Sequence, residues 1–430
     1  FRSFRAKTFS DRPMEVPGLN PEREVNAYHW PSLRWALSEG KGIIADDVGL
    51  GKAQPLDAKI LTPTGWVMMG DIKVGDLVIA GDGSPTKVLG VYPQGDKEIF
   101  RVSFSDGAAT ECCEEHLWLT QTYYERNNAR RSLSGTGGGK VRPLSEIAKS
   151  LRQAGKSHPD GVRNHAIPMV GPVQFAPREV PIDPYLLGVL IGDGCLCHGT
   201  PRVSTPDAWI VDEIGRMLPA GIVISKAVDN GRCPEYRLSK AARTFDGNGH
   251  NAKNPLKQEI ERLGLNVKSE HKFVPDAYLF NSVSARLSML QGLMDTDGYV
   301  CKAGVTVQFS SSSRRLADDV VFLVNSLGGN ATMASKIPTF RNTKGEKAEG
   351  LEHYTVHMRL PPGIAPFRLP KKADRVRPKS KYLPVRYVEK VESVGMKPAQ
   401  CIMVDHPSHL YVTDDFIVTH NTLRGLMLAR

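Results

Sequence analysis

Residues 42–52 read GIIADDVGLGK, and residues 420–430 read HNTLRGLMLAR. The first stretch opens as a short apolar run, Ile43-Ile44-Ala45, and enters a Gly-rich turn ending in Gly51-Lys52. A loop that cradles phosphate needs small residues so that backbone N–H groups can reach the oxygens. It then needs Lys, Ser or Thr for the metal, and a helix. Here Lys52 is followed by Ala53 and by short apolar stretches punctuated by Gly, Pro and Asp, a strand-rich pattern. The missing hydroxyl and a stretch whose apolar spacing predicts a helix arrive together at Thr422–Arg430. Joining Lys52 to Thr422 gives DDVGLGKTLRGLMLAR, with Gly49, Gly51, Lys52 and Thr422 forming the nucleotide-binding loop. Asp46 stands where that pattern usually has its first Gly. The chain therefore reads as a host segment interrupted by residues 53–421.

ADDVGLGK, completed by Thr422 and preceded by YHWPSLRWALSEGKGIIADD, resembles the nucleotide-binding loop of Swi/Snf-type helicase-like ATPases. ATP is then expected for the restored host only. The interrupting segment resembles an intein. AQPLDAKILTPTGWV at its start is similar to the N-terminal intein block, TECCEEHLWLT (110–120) to the second, and CIMVDHPSHLYVTDDFIVTHN (401–421) to the two C-terminal blocks. The resemblance implies splice junctions at Lys52–Ala53 and Asn421–Thr422.

The residues at those junctions carry the chemistry. Asn421 can attack its own carbonyl through its side-chain amide, closing a succinimide and releasing Thr422. His420 beside it can polarise that carbonyl or protonate the leaving nitrogen. Thr422 offers an Oγ that accepts the upstream segment as an ester. Ala53 is the difficulty, because a methyl group cannot attack the preceding carbonyl as the usual Cys or Ser does. Either Ala53 replaces a Cys in an engineered class 1 intein, or the nucleophile lies elsewhere. Class 3 inteins use an internal Cys, with a Trp in the second block and a Thr before the penultimate His. Cys401, Trp118 and Thr419 match all three markers. The resemblance thus implies that Cys401 attacks the Lys52 carbonyl, that His116 protonates the departing Ala53 amine or strains the junction, and that Trp118 and Thr419 position the thiolate. The second block departs from the usual Thr-x-x-His: it reads Cys113-Glu114-Glu115-His116, with Thr110 further upstream. Asp405 and His409 read as structural loop residues.

The middle of the insert carries two related nonapeptides, LLGVLIGDG (186–194) and LQGLMDTDG (290–298). Small residues at i and i+4 let two apolar helices pack closely, and each helix then delivers one Asp to a shared base. Two carboxylates there can hold a divalent metal over a phosphodiester. The pair resembles the LAGLIDADG homing endonucleases, which implies Asp193 and Asp297 as metal ligands, Mg²⁺ or Mn²⁺ as the cofactor, and double-stranded DNA as the partner. Lys272, in KFVPDAYL, matches the lysine that often assists catalysis in that family. Asp295 has Ile191 at the matching place in the first copy and is not expected to be essential. The basic run FRLPKKADRVRPKSK (367–381) reads as a connector or a phosphate track. The stretch 126–142 reads as a mobile loop.

The whole chain has 430 residues, 40% of them hydrophobic, and a net charge of +10. That apolar content excludes wholesale disorder, and no apolar run is long enough to span a bilayer. FRSFRAKTFS at the start has no apolar h-region behind it and is not a secretory signal; the lack of an initiator Met suggests a fragment. Seven Cys, with no paired CxxC, exclude an even disulfide framework and point to a reduced, cytoplasmic setting. The expected fold is mixed: an all-β, horseshoe-like Hint splicing domain interrupted by an α+β LAGLIDADG endonuclease of pseudo-twofold symmetry. The expected organisation is a host segment at 1–52, the splicing domain at 53–125 and 384–421, and a linker or accessory region at 126–180. The endonuclease then takes 181–383 and the second host segment 422–430. A monomer is expected. A splicing-only element with a degenerate DNA-binding domain is the second reading, and a working host ATPase fragment is a third that its 61 residues make implausible.

Overall fold

The computed structural model describes residues 52–131, 139–155, 158–227, 233–243, 252–341, 347–377 and 383–420, with the backbone of 42–45 and 426–429. Asn421, Thr422, Gly49 and Gly51 lie outside the described residues.

Strands β1 (Gly42–Ala45), β2 (Gln54–Pro55), β3 (Lys59–Thr62), β4 (Gly65–Met68) and β5 (Leu77–Ile79) lead into the long β6 (Pro85–Phe104). β7 (Ala109–Cys113) and β8 (Leu117–Thr120) follow, then α1 (Tyr123–Arg131), β9 (Lys140–Pro143), α2 (Leu144–Lys149), the hairpin β10 (Arg152–Gly155) and β11 (His158–Arg163), and β12 (Ala166–Pro168). β6 alternates inward Val88, Val102 and Phe104 with exposed Lys87, Leu89 and Arg101, the period-two pattern of a half-buried strand. Its partner is an equally long strand near the C-terminus.

The α+β part holds the same motif twice. The first copy runs α3 (Pro184–Asp193), β13 (Gly194–Cys195), β14 (Arg202–Ser204), α4 (Ala208–Arg216), β15 (Ile222–Lys226), β16 (Glu235–Lys240), α5 (Pro255–Arg262), then a short α6 (Asp276–Leu279). The second runs α7 (Val283–Asp297), β17 (Gly298–Val300), β18 (Val307–Ser311), α8 (Arg314–Ser326), β19 (Asn330–Lys336), the hairpin β20 (Thr339–Arg341) and β21 (Lys347–Glu349), β22 (His353–Arg359) and α9 (Pro370–Ala373). Both sheets have the same order, β13-β14-β16-β15 and β17-β18-β22-β19, which is the expected pseudo-twofold repeat.

The chain then returns through β23 (Val385–Val404), β24 (Leu410–Thr413), β25 (Ile417–His420) and β26 (Leu426–Ala429). β23 pairs antiparallel with β6 from Val388↔Phe104 to Val404↔Val88, with register shifts that bend the ribbon. β2, β12, β5 and β7 add to this pair, and β25-β24-β3-β4 form a second sheet. The fold class is the expected one, an all-β unit interrupted by an α+β repeat.

Four expectations need correction or narrowing. Of the two readings of 126–180, linker or accessory region, the described residues fit the second: β9 pairs with β8, β12 with β23, and Val170, Val173 and Phe175 are buried beside Leu61, Ile79 and Val412. The loop expected over 126–142 is helix to Arg131 and strand from Lys140, with 132–138 outside the described residues. Arg142 anchors that strand by donating to the Thr120 carbonyl at 3.1 Å and pairing with Glu125 at 2.7 Å. The described part of the basic run, 367–377, is no free connector either, for the Arg368 and Leu369 N–H groups cap the Asp295 carboxylate. The helix expected over 422–430 is absent at 426–429, where the backbone pairs antiparallel with 42–45. There each apolar strand satisfies its backbone groups against the other one.

The two units share a buried boundary. Arg286 of α7 is fully buried and donates to the Asn281 carbonyl at 2.9 Å, the Ser326 carbonyl at 2.8 Å and the Val173 carbonyl across the boundary. Asp106 pairs with Arg386 at 2.6 Å and accepts from Asn330 of the α+β part at 2.9 Å. Among the described residues, no helix is long and apolar enough to cross a membrane.

Candidate functional site

The upstream junction is fixed by strand register. Gln54 pairs with Gln400 and Pro55 with Ala399, which leaves Ala53 and Cys401 as the next residues of the two strands beyond the last pair. The Cys401 thiol is buried, and its field acts on the Lys52 ammonium, whose pKa burial lowers. Gln54 holds this end in place: its side chain donates to Thr110 Oγ1 and Thr413 Oγ1 and accepts from Tyr411 Oη at 2.6 Å. All four side chains are buried. A buried network with its partners in place specifies a single geometry.

Cys113 occupies the position that sequence reading left open. The Ala53 N–H donates to Cys113 Sγ at 3.0 Å, and the Cys113 N–H donates to the Ala53 carbonyl at 3.0 Å. Burial pushes the Cys113 thiol up to about 12, so it remains a neutral S–H beside the junction nitrogen. Thr110 instead donates to Asp414 Oδ2 at 2.7 Å, on the far side of Gln54. The signal for Cys113 was present in the sequence, three residues before His116. A lone buried Cys gives no reason to choose it.

His116 is buried, and its Nε2 lies 2.5 Å from Thr419 Oγ1, so the residue before the penultimate His holds this ring. Burial, the His420 ring and the Lys52 ammonium push His116 down to about 3. It therefore sits at the junction as a neutral imidazole. A ring with so low a pKa must first take a proton before it can give one. Trp118 is buried against Phe104, His116 and Cys112. Its ring centroid is 5.7 Å from that of His116, which places it to hold His116 in orientation. His420 is buried at the end of β25, with the His409 ring 6.0 Å away.

A second site lies at the base of α3 and α7. Asp183 caps α3 through the Tyr185 and Leu186 N–H groups, and Ser282 caps α7 through the Ala285 N–H. The helices cross where Gly188 faces Gly292. A Cβ on Gly188 would meet the Met289 oxygen at 2.5 Å and Gly292 Cα at 3.0 Å. Only glycine admits that approach. A Cβ on Gly192 would lie 3.4 Å from Asp297 Oδ2, so the second acid leans over the first helix end. Burial and the neighbouring Asp193 carboxylate push Asp297 up to about 6, and burial also raises Asp193. Two half-buried carboxylates that repel each other are a hard-oxygen donor set, which fits Mg²⁺ or Mn²⁺.

Lys272 lies under this site, donating to the Ile191, Gly192 and Gly194 carbonyls at 2.6, 3.0 and 2.8 Å. Its counterpart, Lys372, was missed in the sequence. It donates to the Met294, Asp295, Thr296 and Gly298 carbonyls at 3.0, 2.7, 3.0 and 2.7 Å, closing α7 as Lys272 closes α3. The fields of Asp193 and Asp297 act on both lysines. Asp295 faces away, accepting from Tyr185 Oη at 2.8 Å, so it is structural. The outer faces of the two sheets carry Arg202, Ser204, Arg237, Gln308, Ser310 and His357, opposite the strand residues that enter the core.

Comparisons with known proteins come from both parts. Residues 284–355 match the LAGLIDADG-like domain family. A replicative DNA helicase DnaB of Mycobacterium intracellulare is 30% identical over 401 residues, covering 90% of this chain. The chain spans 62% of that relative's length. The crystal structure of the MchDnaB-1 intein covers 86% of this chain and 100% of its own at 13% identity, with a TM-score of 0.25. Mesophilic variants of the homing endonuclease I-DmoI cover 41% of this chain and 82% of their own at 15% identity, with a TM-score of 0.26. The fold is thus an all-β unit interrupted by a twice-repeated αββαββ motif, whose second copy matches the LAGLIDADG-like domain family.

Proposed function

We propose that the chain is a self-splicing element of the internal-nucleophile class that carries a DNA endonuclease. The observation that supports the splicing reading is the register of β2 on β23, whose last pair, Gln54 with Gln400, leaves Ala53 and Cys401 next in line, with Cys113 bonded to Ala53. In this reading neutral His116 takes the Cys401 proton. The thiolate attacks the Lys52 carbonyl carbon, the Lys52–Ala53 C–N bond breaks, and the imidazolium returns its proton to the Ala53 amine. Cys113 supports the departing nitrogen, while Thr419 and Trp118 hold His116. The resulting thioester joins the upstream segment to Cys401. Thr422 Oγ then displaces the thiolate to give an ester, Asn421 Nδ2 closes a succinimide and frees the Thr422 amine, and an O-to-N shift leaves a Lys52–Thr422 peptide.

An engineered Ala53 in a class 1 element would leave Cys401, Trp118 and Thr419 without a common purpose, and their placement favours the internal nucleophile. For the endonuclease, the retained acid pair over two capped helix ends favours activity over a degenerate remnant. A divalent cation held by Asp193 and Asp297 would supply Lewis-acid stabilisation of the phosphodiester and its attacking water. Lys272 and Lys372 would hold the acid-bearing helix ends in register. The host is read as a helicase-type ATPase whose nucleotide-binding loop is restored by splicing; the relative from M. intracellulare is by name a replicative DNA helicase DnaB, not a Swi/Snf-type helicase.

Intact-mass analysis of the purified full chain tests this function. The expected products are free 53–421 and a joined peptide in which Lys52 precedes Thr422. Hydrolysed fragments without any joined peptide would overturn it.

A further inference from the structure

Three of the cysteine and histidine side chains form a cluster that neither reaction uses. Cys195 Sγ, Cys197 Sγ and an imidazole nitrogen of His198 all lie within 4.8 Å of one another. It is the one group of this kind among the described residues. Cys195 is half-buried at the end of β13, while Cys197 and His198 are exposed.

The backbone between the two thiols is held rigidly. Leu196 is buried in the core, and its carbonyl accepts from the buried Lys257 Nζ at 2.6 Å. Lys257 is itself fixed by the Asn266 side chain at 2.7 Å. On the upstream side, the Gly194 carbonyl accepts from Lys272 at 2.8 Å. With residue 196 turned into the core, residues 195 and 197 share the outward side of an extended segment. Cys195 stands opposite Arg202 in the β13–β14 register, on the outer, polar face of the first sheet.

We propose that Cys195, Cys197 and His198 form a binding site for a soft divalent cation, zinc by its chemistry, separate from the carboxylate pair at Asp193 and Asp297. Two thiolates and an imidazole are the donor set that zinc prefers, whereas Mg²⁺ takes oxygen. Tetrahedral zinc brings sulfur to about 2.3 Å and nitrogen to about 2.0 Å, so its ligands lie about 3.5–3.8 Å apart. Side-chain rotation of the two exposed residues is enough to reach that spacing. Binding releases the thiol protons and leaves a fourth position open to solvent. It ties the turn after α3 to the sheet edge next to Asp193. The site depends on neither the splicing nor the endonuclease reading.

The test is a Co²⁺ titration of the reduced, metal-free full chain in a Cys401→Ala background, which removes the proposed nucleophile and leaves Cys113 in place. One equivalent is expected to give thiolate-to-cobalt charge-transfer absorption, with Zn²⁺ displacing it and Mg²⁺ failing to do so. Cys195→Ser and Cys197→Ser should each weaken binding by more than about 100-fold. Zn²⁺ should also shield both cysteines, and not Cys233, from maleimide in the unaltered chain. No thiolate band, a band that survives both serine variants, or equal labelling with and without Zn²⁺ would overturn the proposal.

Discussion

The crossing of α3 and α7 gives a prediction whose size can be worked from geometry. In Gly188→Ala, the new methyl would lie 2.5 Å from the Met289 carbonyl oxygen, 3.0 Å from Gly292 Cα and 3.1 Å from Leu293 N. All three are backbone atoms of the facing helix, so no side chain can rotate away. Ordinary contact is restored only if the helices part by about 1 Å. Overpacking of this kind costs about 1–3 kcal/mol. Alanine's better helix propensity returns about 1 kcal/mol. The net loss of up to about 2 kcal/mol lowers the melting temperature of a domain this size by about 4–8 °C. The functional effect is larger, because Asp193 and Asp297 sit at the ends of the helices that move. A displacement of about 1 Å at a reacting centre costs about 100-fold in rate. The assay is cleavage of a duplex encoding Lys52 joined directly to Thr422, with calorimetry and splicing extent measured on the same samples. Splicing should be unchanged. Wild-type cleavage with a raised melting temperature would refute the reasoning, since propensity alone would then have decided the outcome.

Other perturbations have equally definite outcomes. Lys372→Met removes the donor shared by three α7 carbonyls and that of Gly298, and should reduce cleavage as much as Lys272→Met does, with about 1–3 kcal/mol lost in chemical denaturation. Asp297 is held at about 6 in the folded chain against an ordinary aspartate value of 3.8, so its ionisation opposes folding. Its contribution is full below about pH 4 and is lost as pH rises through about 6, about 3 kcal/mol in all. Metal-free stability should therefore fall across that window, while metal-dependent cleavage should rise across it; a flat cleavage profile from about pH 5 to 7 would count against the carboxylate pair. Thr419→Val removes the 2.5 Å contact to His116 and should slow formation of the branched intermediate at least about tenfold, with Thr419→Ser restoring most of it.

Much of this molecule could be read from the sequence because its signals were duplicated or split. The two nonapeptides gave the helix pair, and the divided phosphate loop gave both ends of the insert. What stayed hidden depended on partners distant in the chain. Lys372 looked like one basic residue in a charged run, although it follows its nonapeptide aspartate at about the same distance as Lys272 follows the first. Spacing, not composition, would have revealed it. Cys113 was visible only as a departure from Thr-x-x-His, and its contact with Ala53 comes from a strand crossing. Residues 126–180 looked like a linker because Gly and Arg dominate 126–142. The pairing of β12 with β23 is a long-range event that local composition does not encode. The helix expected at 422–430 needs a host core to bury its apolar face, and in the interrupted chain the described backbone at 426–429 pairs with 42–45 instead.

The central claim, that Cys401 and not residue 53 opens the upstream junction, is most directly tested by following the branched intermediate in two variants. Under denaturing, hydroxylamine-sensitive gel analysis, the unaltered chain should show a thioester branch mapped by mass to Cys401. Cys401→Ala should abolish both the branch and the joined product. Restoration of full splicing by Ala53→Cys in the Cys401→Ala background, or persistence of splicing in Cys401→Ala alone, would contradict the account.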